Sequence, residues 1–361
     1  TQPIIANRNT VLTEQANEIS PQGQEEFLVS RARELVKDLF QPNPFIYWSD
    51  FLFSAFLGWG AFVLTLSVPA YSIQQILLLG VSCLALYRAV LFTHEIAHFK
   101  KGTFKVFGWV WNTLCGFPLM VPTFLYQSVH FDHHKQNFYG TQKDGEYFPF
   151  ALKGKSLIVI HVLFSFLVPI MFLVRFSVLA PLSLIDKRLR KFLLARMSAL
   201  IIDMDYQRPE SSWKNEKGWK IQEFLTFCFA WIFIGALVAK IIPAAALFLW
   251  YCVSALIFMV NSIRTLAAHR YQNPEGKGMS YPNQMLDSVN IPGNGWTTPL
   301  WAPVGLRFHA THHLFPDLPY HVLGEAHRRL IQDQGESSLY GQTVCSGLLP
   351  ALTRLWNHAR G

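Results

Sequence analysis

Charged residues are scarce in this sequence. Asp, Glu, Lys and Arg make up 15% of the 361 residues, whereas about 25% is usual in soluble domains. Hydrophobic residues reach 51%, with 30 Phe and 11 Trp among them. Such a chain is expected to lie in a membrane. Its net charge of +8 then indicates contact with anionic lipid at the cytoplasmic face, and nucleic acid is not an expected partner.

Cysteine is also rare, and its spacing excludes two classes of protein. The five cysteines are scattered, mostly within apolar runs, at Cys83, Cys115, Cys228, Cys252 and Cys345. They form neither a disulfide framework nor a cluster for binding metal, which indicates buried thiols in a reducing compartment. The first forty residues are polar and predict no signal peptide.

Four apolar runs are long enough to cross a bilayer core of about 30 Å. They comprise residues 45–68, 73–93, 221–241 and 243–262. A short turn after Val68 joins the first two, and a turn at Pro243 joins the last two. The sequence therefore predicts two transmembrane hairpins.

Other segments are predicted to stay on one side of the membrane. Apolar residues at helical spacing in 24–41 predict an amphipathic helix at the membrane surface. Residues 104–126 are apolar but broken by Gly and Pro, as in a re-entrant or surface segment. Residues 156–181 contain Pro169 and Arg175, and a basic amphipathic helix follows over 187–196.

Histidine is concentrated in three short clusters, which hold eight of the thirteen histidines. They read HEIAH from His94 to His98, HFDHH from His130 to His134, and HATHH from His309 to His313. On a helix, positions i, i+3 and i+4 lie on one face, so each cluster predicts a metal-binding surface. Eight imidazoles exceed the needs of one ion, which predicts two metals, and His269 at the end of the last span is a ninth candidate ligand.

The position of these clusters restricts the topology. The second and third can share one site only if an even number of spans separates them, so residues 156–181 should not cross. We therefore predict an all-α integral membrane protein with four spans below a helical cap that holds a dimetal site. Both termini and all histidine clusters are placed on the cytoplasmic side. The predicted divisions are an N-terminal tail with an interfacial helix (1–44), the main domain (45–330) and an amphipathic C-terminal tail (331–361).

A histidine-rich site without its own carboxylate cluster favours a non-haem di-iron centre that activates dioxygen. Acidic residues would orient the imidazoles from outside, and Glu95, Asp132 and Asp287 are candidates. Among the other histidines, His161 is expected in the core or at the interface, and His327 and His358 on the surface. A supporting role for His321 remains open.

The motifs HEIAH, HFDHHK and HATHHLFPDLPYH, interleaved with two hydrophobic hairpins, resemble the membrane fatty acid desaturase superfamily over roughly residues 45–330. The resemblance implies two iron ions, dioxygen as co-substrate and a membrane lipid or long-chain acyl substrate. The implied iron ligands are His94, His98, His130, His133, His134, His309, His312 and His313, with His269 as the extra ligand. Two departures from stearoyl-type desaturases, a shorter gap in the first cluster and Thr265, leave the substrate and the bond position open.

Several reactions are compatible with this resemblance. Double-bond insertion is the expected outcome, and the alternatives are decarboxylation to a terminal alkene and hydroxylation of a lipid or carotenoid. Decarboxylation would need an arginine near the iron, for which Arg264, Arg270 and Arg307 are candidates. The sequence has neither a Rossmann glycine fingerprint nor a Cys-rich cluster, so a separate electron donor such as ferredoxin is expected.

Two other classes of protein are weaker alternatives. HEIAH also matches HExxH, the zinc-protease motif in which Glu95 would act as general base, with Asn273-Pro274 as a faint second motif. That interpretation leaves both HxxHH clusters unexplained. A metal transporter would need ligands along a path through the membrane.

Overall fold

The computed structural model describes residues 21–100, 102–213 and 217–361. These residues form helices and isolated β-bridges but no strand, which confirms the predicted all-α class. The predicted N-terminal tail, residues 1–20, lies outside the described residues. In chain order the α-helices are α1 (Pro21–Val36), α2 (Pro44–Thr65), α3 (Ile73–His98), α4 (Phe107–Trp111), α5 (Gln127–His133), α6 (Lys155–Phe164), α7 (Val168–Val174), α8 (Ala180–Leu182), α9 (Lys187–Arg196), α10 (Lys217–Val238), α11 (Ala245–Ala268), α12 (Tyr281–Asp287), α13 (Thr298–Trp301), α14 (His309–Leu314), α15 (Leu323–Gln334) and α16 (Leu348–His358).

Four of these helices, α2, α3, α10 and α11, are long and apolar enough to cross a membrane. They coincide with the four predicted spans, and the protein is a multi-pass membrane protein. Asn43 begins α2 by accepting hydrogen bonds from the backbone N–H groups of Phe45 and Ile46, with Pro44 at the first helical position. The main difference from the prediction is the end of α3, which continues through the first histidine cluster to His98.

The first hairpin is closely packed, and its outer surface is apolar. A Cβ atom added at Gly58 of α2 would lie 2.6 Å from Cγ of Leu86 on α3, so glycine allows the two helices to approach. Large side chains face outward on both hairpins, for example Phe53 (68% exposed) and Ile232 (70% exposed). Exposed apolar area of this kind is expected where lipid replaces water.

The broken apolar segment at 104–126 lies between the two hairpins. It contains α4, a π-helical turn at Asn112–Gly116 and a 3₁₀ turn at Thr123–Leu125. Indole N–H groups from both hairpins bind its backbone. Trp59 of α2 donates to the carbonyl of Leu114 at 2.6 Å, and Trp250 of α11 donates to the carbonyl of Pro118 at 2.8 Å. Residues 115–125 of this segment are buried in protein, as irregular backbone in a membrane protein requires, whereas Val106 and Trp109 of its first part are exposed.

The apolar stretch predicted not to cross is broken into two parts that are bent by 50°. Its first part packs Ile158 in one cluster with Leu266, near the end of α11. Its second part contains Arg175, which is buried and forms a 2.7 Å ion pair with Glu223, near the start of α10. Because those two helix ends belong to the same side of the hairpin, the stretch begins and ends on one side, as the parity argument predicts.

Helix α1 and the helices α15 and α16 pack against one another or against neighbouring elements of the cap. The boundary predicted at 330 falls inside α15, and α16 buries Ala351 and Leu355 against neighbouring elements. Helix α1 buries Ala32 and Val36 in one cluster with residues of α15, and Arg31 forms a 2.6 Å ion pair with Asp333. Ala32 and Val36 of α1 are therefore covered by the cap, and contact of this helix with the membrane surface stays a prediction.

Candidate metal centre

Four segments bring the nine predicted histidines together at the cap ends of the spans. The last turn of α3 contributes His94 and His98, and the end of α11 contributes His269. The two short helices α5 and α14 contribute the HxxHH clusters, each with its histidines on one helix face as predicted. All of these rings are buried or nearly so.

Eight of the nine histidines form two groups of four. The first tetrad is His94, His98, His130 and His312, and the second tetrad is His133, His269, His309 and His313. Within each tetrad one nitrogen from every ring lies within 4.8 Å of the others. The predicted count of two metals therefore has a geometric counterpart, and no carboxylate belongs to either tetrad in the described part of the chain.

His134 lies between the two tetrads. Its Nε2 is 3.2 Å from Nε2 of His130 and 3.1 Å from Nε2 of His312, both in the first tetrad. Its ring centroid is 4.4 Å from that of His313, in the second tetrad. Of the nine predicted ligands it is the one placed to reach either ion.

The inward nitrogens face one another at the spacing of ligands around an ion. Nε2 of His98 and His130 are 2.9 Å apart, as are Nε2 of His269 and His309. Ligands about 2.1 Å from an ion and at right angles to each other are separated by about 3 Å. Nδ1 of His309, His312 and His313 has no partner, and neither has Nε2 of His94. Such a set of converging imidazoles fits metal ions.

Burial keeps the imidazoles of the cap neutral, which is the form that binds metal. Desolvation, followed by the charges of neighbouring histidines, lowers the pKa of His309, His312 and His313 well below the ordinary value. His133 differs from these. Burial alone would lower its pKa, but the Asp144 carboxylate beside it, aided by Glu146, raises the pKa above the ordinary value.

Two acidic residues hold the second cluster from outside. Asp144 is fully buried, and its Oδ2 accepts a 2.8 Å hydrogen bond from Nδ1 of His133. Glu146 lies 3.1 Å from Nδ1 of His130, which also contacts the hydroxyl of Tyr126 at 2.9 Å. A proton fixed on Nδ1 leaves Nε2 free to face the metal.

Similar contacts orient His94 at the end of α3 and His269 at the end of α11. Glu95 lies 3.2 Å from Nδ1 of His94, and its other oxygen accepts hydrogen bonds from the hydroxyl of Tyr47 and the backbone N–H of Tyr320. Nδ1 of His269 is 2.9 Å from the hydroxyl of Tyr139, which donates to Asp287 at 2.9 Å. Glu95 therefore occupies the predicted outer position directly, and Asp287 occupies it through a tyrosine.

The prediction for Asp132 is wrong. Its carboxylate is directed away from the metal-facing rings and pairs with Lys135 at 2.6 Å, because position 132 is on the opposite face of α5. Sequence reasoning missed Asp144 and Glu146. The only signal for them is an acidic pair, separated by one glycine, in the stretch that follows the second cluster.

The remaining histidines take no part in the two tetrads. His327 is buried, contrary to the prediction, and its Nδ1 is 2.8 Å from the hydroxyl of Tyr340, which in turn contacts Thr311 on α14. His321 accepts a hydrogen bond from the backbone N–H of Asn43 and touches no ligand. His161 packs on Phe150, and His358 is exposed, both as expected.

The geometry argues against the protease and transporter alternatives. His94 and His98 share their tetrad with His130 and His312, and Glu95 contacts the outer nitrogen of His94 instead of the space between the rings. A general base would have to face that space. Both tetrads lie at the cap ends of the spans, whereas a transport path needs ligands at membrane depth.

Comparisons with known proteins agree with this geometry. The family model for fatty acid desaturase matches residues 71–343, a range that contains all nine histidines. A protein from Caulobacter vibrioides (strain NA1000 / CB15N), named ceramide hydroxylase, is 38% identical over 336 residues, which cover 92% of this chain and 94% of that protein. No solved structure matches the chain significantly.

Proposed function

This chain belongs to the fatty acid desaturase family, and from that membership we propose that it is a membrane-bound di-iron lipid hydroxylase acting on a ceramide or a closely related N-acyl lipid. The observation that carries the proposal is the 38% identity, over nearly the whole length of both chains, to a protein named ceramide hydroxylase. Hydroxylation thereby replaces double-bond insertion, the outcome favoured by the sequence, as the proposed reaction.

The proposed reaction converts one C–H bond of the lipid into C–OH. One oxygen atom of O2 enters the product and the other leaves as water, which requires two electrons and two protons. The chain has no recognisable reductase motif, so the proposal includes a separate electron donor such as ferredoxin. Iron would supply the oxidising chemistry, held by the first tetrad, the second tetrad and His134.

The protein's own groups would hold these ligands in place and exclude water. Asp144, Glu146 and Glu95 keep protons on the outer imidazole nitrogens, so the inner nitrogens stay available to the metal. The tetrads are enclosed by the cap and by the ends of α3 and α11. We place this cap on the cytoplasmic side, because exposed Lys187, Arg188 and other basic side chains lie on it.

The experiment that tests the proposal is expression in a host that makes ceramides but does not hydroxylate them. Lipids are extracted after growth under oxygen-18 gas and examined by mass spectrometry. We expect the N-acyl lipid to gain one labelled oxygen atom. His312→Ala should abolish the product because it removes a member of the first tetrad, whereas His358→Ala changes an exposed histidine and should not.

Two outcomes would refute the proposal. An N-acyl lipid that loses two hydrogens and gains no oxygen would support desaturation. Conversion of free fatty acids alone, with the N-acyl lipids unchanged, would refute the substrate class.

A further inference from the structure

A small cavity lies between the last turn of α11 and the chain segment that leads to the third histidine cluster. Its volume is about 10 Å³, enough for roughly one water molecule. Two residues that line the cavity are close in the sequence to predicted metal ligands. Ala268 of α11 directly precedes His269, and Arg307 lies two residues before His309. Its lining consists of Arg264, Ala267, Ala268, Val289, Ile291, Trp301, Leu306 and Arg307.

Two arginines share this cavity, and neither has a carboxylate partner. In the described part of the chain no acidic side chain lies within ion-pair distance of Arg264 or Arg307. Arg264 donates to neutral oxygens, those of Asn261 at 3.1 Å and Thr265 at 3.0 Å on its own helix and the hydroxyl of Tyr87 on α3. Arg307 donates to the carbonyl of Pro292 at 3.1 Å and stacks on Phe308.

The position of Arg264 on a membrane helix makes the lack of a carboxylate partner unusual. It lies on a transmembrane helix, five residues before His269, which corresponds to about 7.5 Å of helix rise. A cation at such a position is costly and usually faces a functional group.

The segment that covers the cavity has the features of a membrane interface. Trp296 is 89% exposed and Leu300 is 50% exposed. Asn294 fixes the turn that presents Trp296 by accepting hydrogen bonds from the backbone N–H groups of Trp296 and Thr297. Helix α13 contacts both α3 and α11, and Tyr87 of α3 donates to the carbonyl of Trp301 at 3.0 Å. Exposed tryptophan is typical of the level of the lipid head groups.

We propose that this cavity binds the polar end of the lipid substrate, with Arg264 and Arg307 donating hydrogen bonds to its acceptor oxygens. The inference deepens the proposed function and rests on it for the choice of substrate. The shared chemistry is an acceptor oxygen, which an N-acyl lipid offers as its amide carbonyl and a free fatty acid as its carboxylate. The flexible arginine side chains would move apart to admit it.

The proposal has a consequence for the position of the reaction. A polar end held beside the second tetrad presents the carbons nearest to it, not the middle of the chain. The product should therefore carry its hydroxyl group close to the amide, which fragmentation in the mass spectrometer locates.

Lipid binding can be measured without turnover. Metal-loaded protein in detergent, kept free of oxygen and reductant, is titrated with a radiolabelled long-chain N-acyl sphinganine and, separately, with the free fatty acid of the same length. Arg264→Gln and Arg307→Gln should each weaken binding of the N-acyl lipid about tenfold or more, since each removes a charged hydrogen bond. Metal content should stay unchanged.

The matched control is Arg270→Gln. Arg270 directly follows His269, but its guanidinium donates to the carbonyl of Gln342 within the cap and does not line the cavity. This variant should bind both lipids as the wild type does. Arg264→Lys and Arg307→Lys keep the positive charge and should recover part of the affinity, which separates loss of the anchor from misfolding.

The outcomes test lipid binding in the cavity separately from the proposed hydroxylation. Weaker binding of the fatty acid alone in the Gln variants would support the cavity and identify a carboxylate as its ligand. Unchanged binding of both lipids in the Gln variants, or an equal loss in Arg270→Gln, would overturn the inference. If the wild type binds N-acyl lipid through the two arginines but never oxygenates it, the cavity stands and the proposed function fails.

Discussion

Asp144→Asn should weaken one of the two metal sites and leave the other intact. Both carboxylate oxygens of Asp144 are in use: Oδ2 accepts from His133 at 2.8 Å and from the backbone N–H of Gly140 at 3.0 Å, and Oδ1 accepts from the backbone N–H of Glu146 at 3.0 Å. Asparagine replaces one oxygen by an NH2 group, which cannot accept. Either orientation of the amide therefore leaves a buried N–H donor facing another donor, and the negative charge beside His133 is lost.

The size of the effect follows from the role of such outer contacts. Removing the partner of a metal-binding histidine usually lowers metal affinity by about 10–100-fold, or about 1.4–2.8 kcal/mol. Because His133 belongs to the second tetrad, one ion per chain should become easier to remove. The assay is anaerobic competition of the Fe(II)-loaded protein with a chelator of known affinity. It should resolve one weakened and one unchanged site.

The control is Asp132→Asn, which makes the same chemical change next to His133 in the sequence. Asp132 pairs with Lys135 on the face of α5 opposite the metal-facing rings, so this variant should retain both ions with wild-type affinity. Equal loss of metal in the two variants would show that general destabilisation of α5 is responsible. Wild-type affinity in Asp144→Asn would refute the assignment of Asp144 as the residue that orients His133.

Three further predictions concern the iron content, the stability of the metal-free protein and the membrane topology. His98→Ala and His309→Ala remove members of different tetrads, so each should lower the iron content from about two to about one per chain by elemental analysis; a loss of both ions in each variant would indicate one inseparable cluster. Metal-free protein should unfold at lower temperature as the pH falls below about 6.5. Burial lowers the pKa of His134 and of most histidines in the two tetrads, so the unfolded chain binds more protons at these residues than the folded protein does, and stability is lost on acidification. An unfolding temperature that stays constant or rises as the pH falls would contradict this prediction. Single cysteines introduced at Lys187 and Pro243 in a cysteine-free background should be labelled from opposite sides of the membrane, and reaction of both from the same side would contradict the topology.

The spans and the ligand clusters could be predicted because each depends on a local pattern. An apolar run of twenty residues has few alternatives to a membrane helix, and a HxxHH pattern on a helix places its rings on one face whatever surrounds it. The meeting of the second and third clusters was also predictable from the even number of spans between them, and His269 joins them because it lies at the end of the last span. None of these inferences needed a distance between remote residues.

The residues that surround the metal-facing histidines could not be predicted in the same way. Asp132 and Asp144 are both acidic residues near the second cluster, and only the path of the chain after α5 decides which one returns to His133. The sequence places His327 after the third cluster and predicts that it lies on the surface. Its burial depends on Tyr340, which lies thirteen residues later and joins it to Thr311.

The buried acids are as informative about the metal centre as the histidines are. Four carboxylates, those of Glu95, Asp144, Glu146 and Asp287, lie around rings that burial keeps mostly neutral. Burying so many acids beside neutral imidazoles is unfavourable unless positive charge is supplied nearby. Two divalent ions would supply four positive charges, equal to the number of these acids. The ligands can therefore all be neutral while the centre as a whole stays close to neutral. Burial raises the pKa of Glu146 to about 8, so loss of the metal should leave this carboxyl group protonated at neutral pH.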